Sequence, residues 1–328
     1  MAKQRLFTPG PTMVPEEVML EMARPQQHHR TADFRDMLRQ VTEHLKYVFQ
    51  TTDGTPLVFT GSGTAAMEAV IVGCCAPGKK ALVLHAGKFG ERWRDICKRF
   101  RIEHAELTLR YGQGFKAGHV AEALAKDDGF GCVIFVHSET STAAVSDAQA
   151  VARVARDKGL LVIVDGITSV GALPFKMDDW GIDAAVTGSQ KALMLPPGLG
   201  VACIGPRAWA AADAIDPPAY YNSLKAYRKS LGSFDTPYTP NNQLIRGLLK
   251  GLTMIREEGL ENVWSRTAKL AAGTRAAVKA LKLELFAADP GDSVTAIKVP
   301  VGVDEARWRK DMKSRFGIHC AGGQGDMK

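Results

Sequence analysis

Short runs rich in Val, Ile, Leu and Phe recur at residues 57–59, 81–85, 132–137, 160–165, 184–187 and 200–204, with segments of helical composition at 64–75, 89–100, 120–126 and 147–158 between them. A strand that is apolar on both faces has to be covered on both faces, and strands that alternate with helices pair in parallel. The pattern therefore predicts an α/β fold: a mostly parallel sheet with helices on each side. With 328 residues, 45% of them hydrophobic and 23% charged, the chain has ample apolar material for a large core, which excludes disorder, collagen and small disulfide scaffolds.

The texture changes after Gly205. Asp216-Pro217-Pro218 and the stretch 232–242, with Pro237 and Pro240, read as irregular, ahead of a helix over 242–258. A second helix over 263–281, strand-like runs at 283–286 and 294–299, and a helix over 305–316 follow. These predict an N-terminal arm (1–20), a large domain (21–256) and a smaller C-terminal α+β domain (257–328).

Lys plus Arg number 42 against 35 Asp plus Glu, a net charge of +7 with no block of like charges, so a nucleic-acid-binding tail has no support and anionic small molecules remain compatible. The six cysteines (Cys74, Cys75, Cys97, Cys132, Cys203, Cys320) show no C-x-x-C pair, which signals buried free thiols, no metal site and a reducing compartment. Thr8-Pro9-Gly10-Pro11 stands where a signal peptide would carry its apolar run, and no stretch approaches the ~18–20 apolar residues of a membrane span. A cytoplasmic location is the expectation.

Ligands of α/β sheets bind at the carboxyl ends of the strands, which directs attention to five segments. Gly61-Ser62-Gly63-Thr64-Ala65-Ala66 joins a strand to a helix with residues small enough for backbone N–H groups to meet a phosphate. It also satisfies the dinucleotide pattern, but the next strand ends in His85-Ala86-Gly87 without the acidic ribose ligand, so a single phosphate fits better than NAD. Gly73 to Lys79 mimics a P-loop, yet Lys80 stands where Ser or Thr is required and Pro77-Gly78 marks the end of a helix. Asp165 closes a very apolar run, where a carboxylate is costly unless it meets a cation or several donors. Lys191 sits among apolar neighbours, where desolvation favours the neutral, nucleophilic amine. Pyridoxal phosphate needs a lysine, an anion beside its pyridinium nitrogen, a phosphate cradle and a flat partner for its ring. Lys191, Asp165, the turn at Gly61 to Thr64, and Phe89 would supply these four.

At these residues the sequence resembles the class V aminotransferases, in particular the alanine–glyoxylate and serine–pyruvate (or serine–glyoxylate) group of fold-type I pyridoxal-phosphate enzymes. The likeness runs through Pro9-Gly10-Pro11, Gly61-Ser62-Gly63-Thr64-Ala65-Ala66-Met67-Glu68, His137-Ser138-Glu139-Thr140-Ser141-Thr142, Val164-Asp165-Gly166-Ile167-Thr168-Ser169 and Gly188-Ser189-Gln190-Lys191-Ala192-Leu193, in that order. It implies Lys191 as the lysine that joins the cofactor and then shuttles the substrate proton, and Asp165 as the anion that keeps the pyridine nitrogen protonated. It further implies Ser62, Gly63, Thr64 and Gln190 on the phosphate, Phe89 stacked on the ring where many relatives carry Trp or Tyr, Thr140 on the ring hydroxyl and Ile167 on the opposite ring face. Thr236 would reach the phosphate from a second subunit, which implies a homodimer with shared active sites, and the backbone of Pro9-Gly10-Pro11 would line the pocket.

The family pattern also places a carboxylate-binding arginine shortly after a Gly-Gly-Gln-Gly segment. This sequence reaches Gly322-Gly323-Gln324-Gly325 and runs to Lys328 without it, so the expectation is an incomplete small domain, with Arg30 and Arg246 as substitute anchors. The function implied is transfer of an amino group from a small amino acid, alanine or serine, to glyoxylate or pyruvate. The alternatives are another class V reaction (2-aminoethylphosphonate transamination or a cysteine desulfurase-type lyase) or a cofactor-binding accessory protein without turnover.

Overall fold

The computed structural model describes residues 4–76, 78–324 and Met327. The helix stop expected at Pro77-Gly78 and the glycine closing the Gly-Gly-Gln-Gly segment thus fall on Pro77 and Gly325, outside the described residues.

The chain opens with strand β1 (Arg5–Phe7), helix α1 (Glu16–Met22) and the long helix α2 (Ala32–Phe49). Thr31 caps α2, its Oγ1 accepting from Phe34 N at 3.3 Å, and Phe34, Met37, Leu38, Val41, Leu45 and Val48 recur at helical spacing on its buried face. Next come β2 (Thr55–Thr60), α3 (Gly63–Cys74), β3 (Lys80–His85), α4 (Lys88–Phe100), β4 (His104–Thr108), α5 (Ala117–Leu124) and β5 (Phe130–Val136). A small hairpin of β6 (Ser138–Glu139) and β7 (Ala144–Val145) leads to α6 (Ala148–Asp157), then β8 (Leu161–Asp165), β9 (Ala184–Gly188) and β10 (Leu199–Ile204). The remainder holds α7 (Pro206–Asp213), α8 (Leu224–Leu231), α9 (Asn242–Glu258), α10 (Leu260–Ala280), α11 (Glu305–Phe316) and β11 (Ile318–Cys320).

Seven strands form the central sheet in the order β2-β10-β9-β8-β5-β3-β4. Only β10 runs against its neighbours; every other adjacent pair is parallel, as the alternation of strands and helices required. Successive side chains of one strand serve opposite cores. Val133 and Phe135 of β5 join the face covered by α2, α5, α6 and α9, while Cys132 and Ile134 join the face covered by α3, α4, α7 and α8. This two-sided burial is why the strands read as unbroken apolar runs.

Three departures from the sequence reading have physical reasons. Helices α7 and α8, on either side of Asp216-Pro217-Pro218, were not anticipated, because their buried Ala208, Trp209, Leu224 and Tyr227 are too few to give a strong period. The strand-like runs at 283–286 and 294–299 form only one isolated bridge, Leu285 with Ile297, and Ile297 and Val299 remain exposed. Edge strand β4 was not anticipated, because its HAELT sequence is only half-buried and lacks an apolar run. The thiols are free, four buried and Cys75 and Cys320 half-buried. Among the described residues no helix is long and apolar enough to cross a membrane. The parallel pair β1–β11 ties the N-terminal arm to residues 318–320.

Candidate active site

Because β2, β3, β5, β8 and β9 point the same way, the segments that follow them meet along one edge of the sheet. After β2, Ser62 caps α3 with Oγ accepting from Thr64 N at 3.3 Å. Gly63 is the first residue of that helix, and a Cβ there would stand 2.6 Å from Ile167 Cδ1, so a side chain at this position would push the tip of Ile167 off the helix start. Thr64 Oγ1 accepts from Arg92 Nη1 at 3.2 Å, and the same guanidinium lies 4.7 Å from the centre of the Phe89 ring.

Asp165 ends β8 with only 2% of its surface exposed. Its Oδ1 accepts from Ile167 N at 2.9 Å and its Oδ2 from Trp93 Nε1 at 3.2 Å. Burial pushes its carboxyl up to about 6, in spite of those two donors. Lys191 follows β9 and is 8% exposed; its Nζ donates to Pro9 O at 2.7 Å. Burial pulls this amine down to about 8, with the charges of Asp165 and Glu139 pulling the other way. The arm carrying Pro9 is fastened to this loop, since Thr12 N donates to Gln190 O at 3.1 Å and Thr12 Oγ1 to Lys191 O at 3.0 Å. Gln190 Oε1 and Thr187 Oγ1 are buried among the described residues without a hydrogen-bond partner. Thr140 Oγ1 shares a hydrogen bond with Thr168 Oγ1.

Among the described residues, then, Ser62, Gly63, Thr64, Phe89, Thr140, Asp165, Ile167, Gln190 and Lys191 gather at one edge. Thr236 is tied elsewhere: its Oγ1 donates to Tyr238 O at 2.8 Å and its carbonyl accepts from Arg30 Nη1 at 2.6 Å. Arg30 is further paired with Asp235, and Arg246 donates to Gln27 Oε1 at 2.7 Å. Sequence reasoning missed Trp93, Arg92 and Glu139. Trp93 and Arg92 stand four and three residues beyond Phe89 on α4, a spacing that brings side chains to one helix face. Glu139 stands three residues past the end of the apolar strand β5, behind His137 and Ser138, so it lacks the direct juxtaposition that singled out Asp165.

A buried carboxylate and a desolvated amine beside a small-residue helix start describe a chemistry, and comparison with known proteins supplies the lineage. The model of the family described as aminotransferase class-V matches residues 5–325. The chain belongs to the class-V aminotransferases. This aminotransferase is 40% identical over 327 residues to the soluble hydrogenase 42 kDa subunit of Anabaena cylindrica, covering 98% of this chain and 85% of that one. It is 37% identical over 333 residues to the serine–glyoxylate aminotransferase of Methylorubrum extorquens, covering 98% and 83%. The crystal structure of an alanine–glyoxylate aminotransferase from Nostoc sp. superimposes with a TM-score of 0.94 at 28% identity, covering 99% of this chain and 88% of that one.

The aminotransferase's Gly10 offers a direct probe of the lysine. Its φ is +155°, and a Cβ there would lie 2.6 Å from both Cε and Nζ of Lys191. Gly10→Ala is expected to drive the amine off Pro9 O and to lower kcat by roughly 10²-fold, the usual cost of a misplacement near 1 Å. Steady-state kinetics check this, and a variant with wild-type kcat would show that the arm does not set the lysine's position.

Proposed function

We propose that this class-V aminotransferase uses pyridoxal phosphate to move an amino group from a small amino acid, alanine or serine, to glyoxylate or pyruvate. The observation that carries the reading is the desolvated amine of Lys191, near neutrality at about 8, at the same sheet edge as the buried Asp165. The residues fit the cofactor. Ser62, Gly63 and Thr64 are small residues at the start of α3, where backbone N–H groups lack helical partners, Arg92 brings a cation to Thr64, and the orphaned, buried side-chain oxygen of Gln190 marks a polar spot that wants a partner. Asp165, costly as a buried anion, suits a pyridinium beside it.

When bound, the cofactor supplies an aldehyde that condenses with amines and a ring that delocalises the electron pair of a deprotonated carbon. Asp165 would hold a proton on the ring nitrogen. Ser62, Gly63, Thr64 and Gln190 would hold the phosphate, Phe89 and Ile167 the two ring faces, and Thr140 the ring hydroxyl. Lys191 Nζ, once displaced by the substrate amine, would take the proton from the substrate carbon and return it, a task suited to a group that titrates near the working pH.

Glyoxylate as acceptor is supported by the names of the Methylorubrum and Nostoc proteins, and serine and alanine as donors by one each. The same reading includes a homodimer in which Thr236 serves the neighbouring subunit, a division of the chain at residues 20 and 256, and a cytoplasmic location. The likeness to a hydrogenase subunit favours a second reading, a chain that holds the cofactor without turnover. An absorption spectrum of the purified protein with pyridoxal phosphate, before and after L-alanine or L-serine, tests both. A band that shifts toward the pyridoxamine form supports the transaminase, a band indifferent to every donor supports the idle subunit, and no band at all removes both.

A further inference from the structure

Glu139 is buried at the centre of the site, 5% exposed, and the chemistry proposed above leaves it without a part. Its Oε1 and Oε2 accept from Phe89 N at 3.3 and 3.1 Å, and Oε2 also from Gly90 N at 3.0 Å. Oε1 accepts in addition from Ser141 N at 3.1 Å and Ser141 Oγ at 2.6 Å, while Ser141 Oγ accepts from Lys88 N at 3.0 Å. The first three N–H groups of α4, which have no helical partners, are therefore all held by Glu139 and Ser141. The backbone makes room for this grip: a Cβ on Gly87 would stand 2.4 Å from Glu139 Cγ. Phe89 rides on the helix end that is gripped, and Thr140 rides on the loop that grips it.

We propose that Glu139 is a positioning residue that, as a carboxylate gripping the first N–H groups of α4, locks Phe89 and Thr140 into one frame. The proposal rests on the transaminase reading for what Phe89 and Thr140 contact. A carboxylate suits the place better than an amide would, because every group facing it is an N–H or O–H donor and because a helix N-terminus favours an anion. The charged groups that act on the Lys191 amine are Asp165 and Glu139, and both raise its affinity for a proton. Glu139 likewise pushes Asp165 upward, while Arg92 pulls it down. Lys88, next to the grip, gives its own charge to Glu91 Oε2 at 2.7 Å.

Two measurements test this. In the cofactor-free protein, the reactivity of Lys191 toward a small acylating reagent, followed by peptide mass spectrometry against pH, should have its midpoint near 8. Glu139→Gln should lower that midpoint by roughly half a unit to one unit, because one of two raising charges is gone. Ser141→Ala keeps the charge and should leave the midpoint in place. With pyridoxal phosphate, equilibrium titration should show a loss of about tenfold in affinity for E139Q. The double variant E139Q/F89L should then lose less than the sum of the two single losses, since E139Q acts in part through the Phe89 ring contact. An unmoved midpoint in E139Q, or additive losses in the double variant, overturns the proposal. If E139Q does not fold, the same cycle with Ser141→Ala and Phe89→Leu decides, additivity again counting against it. A wild-type chain that takes up no pyridoxal phosphate would sink the transaminase reading, whereas an unmoved midpoint or additive losses in a chain that does bind it sink this proposal alone.

Discussion

Lys191→Ala is expected to leave a folded protein whose turnover is lower by about 10⁴-fold or more, since the substitution removes the amine proposed above as both nucleophile and general base. Its Nζ meets the carbonyl of Pro9, whereas Lys88, the other lysine at the strand ends, gives its Nζ to Glu91 Oε2 at 2.7 Å. The same variant carries a signature in stability. The amine's folded value, about 8, lies below its ordinary 10.5. Between these two the unfolded chain binds more protons than the folded one, so the wild type gains stability as pH rises from about 8 to 10.5. Below 8 the buried ammonium costs about 3 kcal/mol. Lys191→Ala should lose this rise. Chemical denaturation of both cofactor-free proteins at pH 7.5 and 10 measures the difference, and parallel pH dependences would refute the desolvation of this lysine. Wild-type transamination by the variant would refute the whole assignment.

Asp165→Asn should trade activity for stability. Turnover is expected to fall by roughly 10²–10³, as for loss of one charge-stabilising group in a dry site. The folded carboxyl titrates at about 6 against an ordinary 3.8, so across that window the folded chain binds more protons than the unfolded one. Stability therefore falls as pH rises from about 4 to 6, leaving a deficit of about 3 kcal/mol above pH 6. Asparagine removes the deficit but can accept through only one oxygen where Asp165 now accepts from both Ile167 N and Trp93 Nε1. A net gain of about 1–2 kcal/mol for the cofactor-free variant at pH 8, shrinking to nothing or reversing near pH 4, is the expected result. Thermal unfolding at the two pH values together with kcat checks it. A variant that is as active as wild type, or one no more stable at pH 8 than at pH 4 relative to it, would contradict the place given to Asp165.

Residues whose surroundings are apolar over a whole strand could be read along the chain. Asp165 and Lys191 stood out because a charged group beside five or six apolar neighbours has no cheap explanation, and Gly61 to Thr64 because small residues between a strand and a helix leave room for little else. Short or half-exposed elements could not be read this way. In α7 and α8 too few turns are buried to establish a period, and in β4 the side chains face water and core without a run.

The sequence by itself determined the layered α/β architecture and singled out Lys191, Asp165 and the turn at Gly61 to Thr64 as candidates at one edge of the sheet, because apolar runs and the order of strands and turns are written in local composition. Only the tertiary structure decided who accompanies them. The indole of Trp93 on Asp165 comes from 72 positions away, the carbonyl of Pro9 on Lys191 from 182, and the carboxylate of Glu139 on the start of α4 from 50. Contacts of that separation depend on which strands become neighbours and in what register. No periodicity in a single segment encodes that, because it is settled by burying all the segments at once.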